Sequence, residues 1–156
     1  MTLSAWRIVK RKLASEAFSG EGARLYGGRW NSPGVRILYT AQSRSLAALE
    51  ILVHLVSPDL LRQYVVFEVS FDETLVTAAE ESKLPADWQA EPPPTALRAI
   101  GDSWAAARAS AVLQVPSAII PDESLFLLNP IHDDFAKLKI GEPLPFRMDP
   151  RLLRKK

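Results

Sequence analysis

Apolar positions fall in short runs along this chain, and their period changes several times. Residues 5–9, Ala5-Trp6-Arg7-Ile8-Val9, have the aromatic and β-branched character of a first strand, and Lys10-Arg11-Lys12 behind them reads as a solvated charge run. A second short strand is predicted over 36–40 and a third, with alternation enough for a strand, over 64–71; residues 74–77 are placed as a continuation of the sheet. Ser43 has the chemistry of an N-cap, so a helix is expected from residue 44 to about 56, ending before Pro58. An Ala-rich helix follows over 95–110, weakened by Gly101. The apolar runs of 111–120, separated by Pro116-Ser117, predict two short strands, and 125–128 another. Residues 133–138 suit one or two helical turns, and the tail from Pro143 is proline-broken and basic.

Two segments interrupt this pattern. Residues 19–34 are rich in Gly, Ser, Pro and Asn, which supply tight turns, and read as one long ordered loop with Tyr26 and Trp30 flanking Gly27-Gly28-Arg29. Pro85 and Pro92-Pro93-Pro94 mark a surface excursion expected to be peripheral. Many short strands with two or three helices that do not alternate regularly define an α+β fold, and the pattern leaves the order of strands open. The 156 residues suit a single domain over 1–156.

Composition narrows the function classes. The 19 basic residues nearly cancel the 18 acidic ones, so the broad positive field of a general nucleic-acid binder is missing. With no cysteine there is neither a disulfide framework nor a thiolate metal site, in keeping with a reducing compartment. The first residues carry no apolar run long enough for a signal peptide, and Ile51-Leu52-Val53 is broken by His54; a cytoplasmic protein with no membrane association is expected.

The helix after Ser43 is apolar nearly all round, so it is expected to be largely buried, and Glu50 is its one acid. A buried carboxylate must meet a cation, accept hydrogen bonds, protonate or open onto a cleft. Two readings therefore stand: a structural salt bridge or Glu50–His54 contact, and a functional site. Arg29 lies beside glycines, where backbone approaches a ligand closely and a guanidinium can hold phosphate oxygens with two prongs; it can equally be tied to a carbonyl. Tyr39 suits either a half-buried core or stacking on a planar ligand, Ser117 a turn, and Asn129-Pro130 a turn. Gly27-Gly28 lacks the third glycine of a dinucleotide fingerprint, no Walker-type Gly-Lys-Ser/Thr exists, and His54 and His132 have no zinc-site spacing.

Taken in order, these residues match a known pattern. Phe18-Ser19-Gly20-Glu21-Gly22-Ala23-Arg24-Leu25-Tyr26-Gly27-Gly28-Arg29-Trp30-Asn31-Ser32-Pro33-Gly34, then Leu38-Tyr39-Thr40-Ala41 and Leu46-Ala47-Ala48-Leu49-Glu50, closely resemble the RES domain. The family takes its name from an arginine, a glutamate and a serine, here Arg29, Glu50 and Ser117 of Val115-Pro116-Ser117-Ala118. The segment 127–135 and the tail 146–152 also look like the family, and Leu125 departs from it, standing where many relatives carry asparagine.

The resemblance implies an ADP-ribosyltransferase-like split, mainly antiparallel sheet with flanking helices and NAD⁺ in its cleft. It implies a toxin that arrests growth by cleaving the nicotinamide–ribose bond of NAD⁺, through hydrolysis or phosphorolysis, with ADP-ribosylation of a host protein as the alternative. It also implies a hetero-oligomer with an Xre-type helix-turn-helix antitoxin, through which alone DNA is reached. In that reading Glu50 stabilises the oxocarbenium-like state, and Arg29 holds the pyrophosphate or a ribose oxygen. Tyr39 stacks on nicotinamide, Ser117 orients the ribose or Glu50, Asn129 is a weaker contact to NAD⁺, Trp30 packs the loop, and no metal takes part. A non-enzymatic alternative is a module that contacts nucleic acid or antitoxin through Lys10-Arg11-Lys12 and the basic cluster at 151–156.

Overall fold

The computed structural model describes residues 1–55 and 63–153. The third strand predicted from alternation pairs along its whole length with the first. β1 (Thr2–Lys10) and β3 (Tyr64–Asp72) run antiparallel in unbroken register from Thr2 opposite Asp72 to Lys10 opposite Tyr64. β3 carries four consecutive buried residues at its start, Tyr64 to Phe67, as a strand covered on both faces should. β2 (Leu38–Ala41), β5 (Val112–Pro116) and β6 (Ser124–Leu128) form the other half, with β6 antiparallel to both of its neighbours. β4 (Val76–Ala78) adds to β5 in parallel, while β7 (Lys139–Ile140) and β8 (Leu144–Phe146) cap β3. The resulting order is β4-β5-β6-β2-β1-β3-β7, with β8 also on β3.

The halves meet between β1 and β2, where one pair, Trp6 opposite Ala41, joins them. Beside that pair the side chain of Arg7 takes over: its NH1 donates to the Tyr39 carbonyl at 3.0 Å and its Nε to the Ala17 carbonyl at 2.7 Å. A guanidinium thus satisfies a carbonyl that a continuous strand would have paired. Burial lowers the pKa of Arg7 to about 10, still far above neutrality, so the bridge keeps its charge. The split opens the cleft described below. One apolar cluster, with Trp30, Ile37, Leu46, Leu97, Trp104, Leu113, Val115, Leu125 and Leu127, packs helices and loop on one side of the sheet; a second gathers Leu38, Val69, Phe71, Val112, Phe126 and Leu128. The α+β class is therefore as expected.

Several local expectations need correction. Within residues 19–34 lies a helix, α1 (Glu21–Tyr26), with no buried residue. Ion pairs of Glu21 with Arg24 and Arg36 hold it, so no apolar period announces it. α2 (Arg44–Leu52) begins as predicted, with Ser43 Oγ accepting from the Leu46 amide at 3.1 Å, but ends earlier than residue 56; Val56 and Pro58 lie outside the described residues. It is not largely buried either, because only Leu46 and Ala47 are fully covered, Arg44 and Ser45 are exposed, and Glu50 and Ile51 border a cleft. Residues 73–75 form a 3-10 turn before the short β4. Residues 111–120 yield one strand, β5; the second run turns at 118–120 because its backbone caps onto Ser117. Residues 133–138 give the expected 3-10 turn, Asp133–Lys137, and the tail supplies β8 in spite of its prolines, at a sheet edge where proline is tolerated.

α3 (Thr95–Ala107) is the longest helix, and Gly101 does not interrupt it. Leu97, Gly101, Trp104 and Ala105 form its buried stripe. A Cβ at residue 101 would stand 1.8 Å from the Trp30 carbonyl oxygen, so glycine is what lets α3 rest on the backbone of the 29–32 turn.

Candidate functional site

β1, β2, α2, the turn after α1, the proline-rich excursion and α3 converge on one cavity of about 810 Å³. That volume is within the usual range for small-molecule sites. Glu50 reaches it from the uncovered side of α2, half-buried, and its Oε1 accepts from Ser117 Oγ at 2.8 Å. Ser117 is fully buried, and its oxygen also accepts from the amides of Ile119 and Ile120, each at 3.1 Å. A turn serine anchored by two backbone donors therefore aims its single proton at the carboxylate. Among the described residues Glu50 forms no ion pair and no bond to His54; its hydrogen-bond partner is Ser117.

Arg29 follows Gly27-Gly28 toward the same cavity, and its guanidinium is already engaged. NH1 donates to the carbonyls of Trp88 at 3.1 Å and Ala90 at 2.7 Å, and NH2 meets the Glu91 carboxylate at 2.8 Å. The excursion that the prolines made look peripheral is thus fastened over the cavity, with Gln89, Glu91 and Pro93 among its lining residues. Sequence offered no signal for this, since the contact joins segments about sixty residues apart through backbone carbonyls.

Tyr39 lines the cavity, and its hydroxyl organises the loop. It donates to Asn31 Oδ1 and accepts from the Trp30 amide at 3.1 Å. Burial pushes the phenol well above its ordinary pKa, so it stays neutral and keeps that proton for Asn31. Gly28 makes this possible, because a Cβ there would meet the Tyr39 oxygen at 2.6 Å. Asn31, fully buried, spends its amide on the carbonyls of Ala23, Ser32 and Val35, and Asp102 of α3 accepts from the Ser32 amide at 2.9 Å. Asn31 and Asp102 were missed from sequence, where each reads as an ordinary turn or helix-surface residue.

Two expectations separate here. Arg29, Tyr39 and Glu50 line one cavity, with Ser117 directly behind Glu50. Asn129 is not among the lining residues; it is fully buried, donating to the Ala105 carbonyl at 3.2 Å and accepting from the Ile131 amide at 3.2 Å, and so ties α3 to the turn after β6. Trp30 is fully buried, in keeping with a packing role, though it also borders the cavity. Among the described residues no cluster of three or more metal-ligating side chains occurs, and no helix is long and apolar enough to cross a membrane.

The cleft of this split α+β sheet thus presents a carboxylate bonded to a buried serine and a glycine-flanked arginine on one cavity lining. The RES domain model matches residues 4–149, and the chain belongs to that family. It is 42% identical over 160 residues to the Prs ADP-ribosylating toxin of Sphingobium sp. (strain YBL2), with 99% of each chain covered. It is 39% identical over 152 residues to Toxin Res of Photorhabdus laumondii subsp. laumondii, covering 97% of each. Among solved structures, the M. tuberculosis MbcT–MbcA toxin–antitoxin complex contains a chain of similar fold, with TM-score 0.74 at 18% identity over 97% of this chain and 87% of that one.

Proposed function

We propose that this protein is the toxin of a toxin–antitoxin pair and that it cleaves the nicotinamide–ribose bond of NAD⁺. The observation that carries the reading is the bond from Ser117 Oγ to Glu50 Oε1 at the wall of a cavity large enough for a dinucleotide. The names of the Sphingobium and Photorhabdus relatives support it. When the glycosidic bond breaks, its electron pair leaves with the nicotinamide nitrogen and positive charge develops on the ribose. A fixed carboxylate nearby is worth most in that state, because it need not reorganise as the charge appears. Ser117, pinned by two amides, holds one carboxylate oxygen and leaves the other for the ribose. An oxygen of water or of phosphate then forms the new bond to the anomeric carbon; water loses one proton to the solvent in doing so, whereas a phosphate dianion attacks through an oxygen that carries none.

The partner in this reading is an Xre-type antitoxin that closes the cleft, and the site of action is the cytoplasm. Transfer of ADP-ribose to a protein is the second reading, favoured by the name of the Sphingobium relative. Both share one cleft and differ in the acceptor. Mass spectrometry of the products from NAD⁺, with water alone, with phosphate and with cell lysate, decides between them. Release of nicotinamide is expected in every reaction that turns over, and the fate of ADP-ribose names the acceptor. NAD⁺ left intact under all three conditions contradicts the proposal.

A further inference from the structure

The cavity holds a cation that the family signature does not contain. Arg98 projects from the first turn of α3, next to the buried stripe, and lines the cavity. Its guanidinium has no hydrogen bond and no ion pair among the described residues, and its Nε is shielded from solvent without a partner. Asp102, one turn further along α3, is engaged by the Ser32 amide. A shielded guanidinium donor left unmet is costly, and proteins ordinarily satisfy such groups unless a ligand does so.

Two further observations say what ligand would do so. Among the described residues the buried side-chain atoms without partners are Trp6 Nε1, Trp30 Nε1 and Arg98 Nε; all are donors, and all belong to residues lining this cavity. The unmet demand is thus for acceptors. Charge points the same way: Arg7, Arg29 and Arg98 face Glu50 and Glu91 across the lining. Arg7 is spent on two backbone carbonyls and Arg29 on the 88–91 segment and the Glu91 carboxylate. The Arg98 guanidinium makes no hydrogen bond and no ion pair among the described residues, and the one acid of its helix, Asp102, accepts from the Ser32 amide.

We propose that Arg98 is the guanidinium that holds the diphosphate of the substrate, while Arg29 chiefly fastens the proline-rich segment over the cavity. The proposal rests on the NAD⁺ reading and deepens it by dividing labour between two arginines. A diphosphate offers the paired, charged acceptors that a guanidinium fork suits, and its charge is unchanged during the cleavage, so Arg98 binds substrate and transition state alike.

The test uses the purified chain with ADP-ribose, inorganic pyrophosphate and nicotinamide as separate probes in calorimetry or NMR titration, together with steady-state kinetics on NAD⁺. Folded Arg98→Gln is expected to bind ADP-ribose and pyrophosphate about ten- to a hundredfold more weakly, the span of one charge-assisted hydrogen bond lost. The KM for NAD⁺ should rise by a similar factor, with kcat and the affinity for nicotinamide nearly unchanged. A merely structural arginine would not produce that selectivity. Arg98→Lys, which keeps charge but not the fork, should recover part of the loss, and it carries the test alone if Arg98→Gln does not fold. Wild-type affinity for ADP-ribose in folded Arg98→Gln, or in Arg98→Lys standing alone, overturns the assignment and leaves the NAD⁺ reading intact. A wild-type chain that ignores NAD⁺ and ADP-ribose yet binds pyrophosphate through Arg98 overturns the NAD⁺ reading and keeps the anion site. Binding of neither pyrophosphate nor ADP-ribose overturns the anion site itself.

Discussion

The least expected division among the residues is between those that look chemical in the sequence and those whose bonding the fold makes plain. Glu50 stands out as the one acid in an apolar helix, and Ser117 gains meaning only when its hydroxyl is seen to join that carboxylate to two backbone amides. Ser117→Ala therefore has two effects of different kind. It leaves the Ile119 and Ile120 amides without their acceptor, at a cost of about 1–3 kcal/mol if they find no water. It also frees Glu50 to rotate. The expected outcome is a melting temperature lower by several degrees and a kcat reduced about tenfold or more at nearly constant KM, read by calorimetric melts and nicotinamide release. Unchanged kcat in a folded Ser117→Ala protein would confine the serine to the turn. Arg98 was not legible in the sequence, since an arginine on an amphipathic helix is ordinarily solvated and nothing local marks the loss of its solvent.

At the scale of elements, legibility followed the source of stability. β3 and β6 rest on apolar burial, and the runs that predict them nearly coincide with the strands observed, whereas β1 (Thr2–Lys10) runs past the predicted 5–9 at both ends along its pairing with β3. α1 rests on ion pairs of Glu21 with Arg24 and Arg36, and the 88–93 excursion on the Arg29 side chain, so neither leaves a hydrophobic period. Gly101 shows the two levels in direct conflict. Helix propensity says that Gly101→Ala should stabilise α3 by about 1 kcal/mol. The Trp30 carbonyl, 1.8 Å from where that Cβ would lie, says that α3 must instead move off the 29–32 turn. Destabilisation of about 1–3 kcal/mol or more is expected, together with weaker NAD⁺ binding, because Arg29 and Tyr39 are positioned by the same turn. Denaturant titration checks the sign; a stabilised Gly101→Ala protein would mean that the contact relaxes without consequence.

Over the whole molecule, the sheet parts between β1 and β2 after a single pair, and the site occupies the opening. The α+β class followed from short strands and irregular helices. The strand order did not, because β2 pairs with β6 and β4 with β5 across long stretches of chain that no local pattern records. The same geometry sets the central claim, that a carboxylate on the uncovered side of α2 faces a cavity and stabilises charge developing on a ribose. Glu50→Gln tests it most directly, since it removes the charge while keeping side-chain length and an oxygen able to accept from Ser117. Nicotinamide release from NAD⁺ should be measured for wild type and for the variant, with circular dichroism and NAD⁺ titration alongside. A folded Glu50→Gln protein that binds NAD⁺ nearly as well as wild type but turns over about a hundredfold more slowly, or slower still, is the predicted result. Release at the wild-type rate from the same folded variant would contradict it.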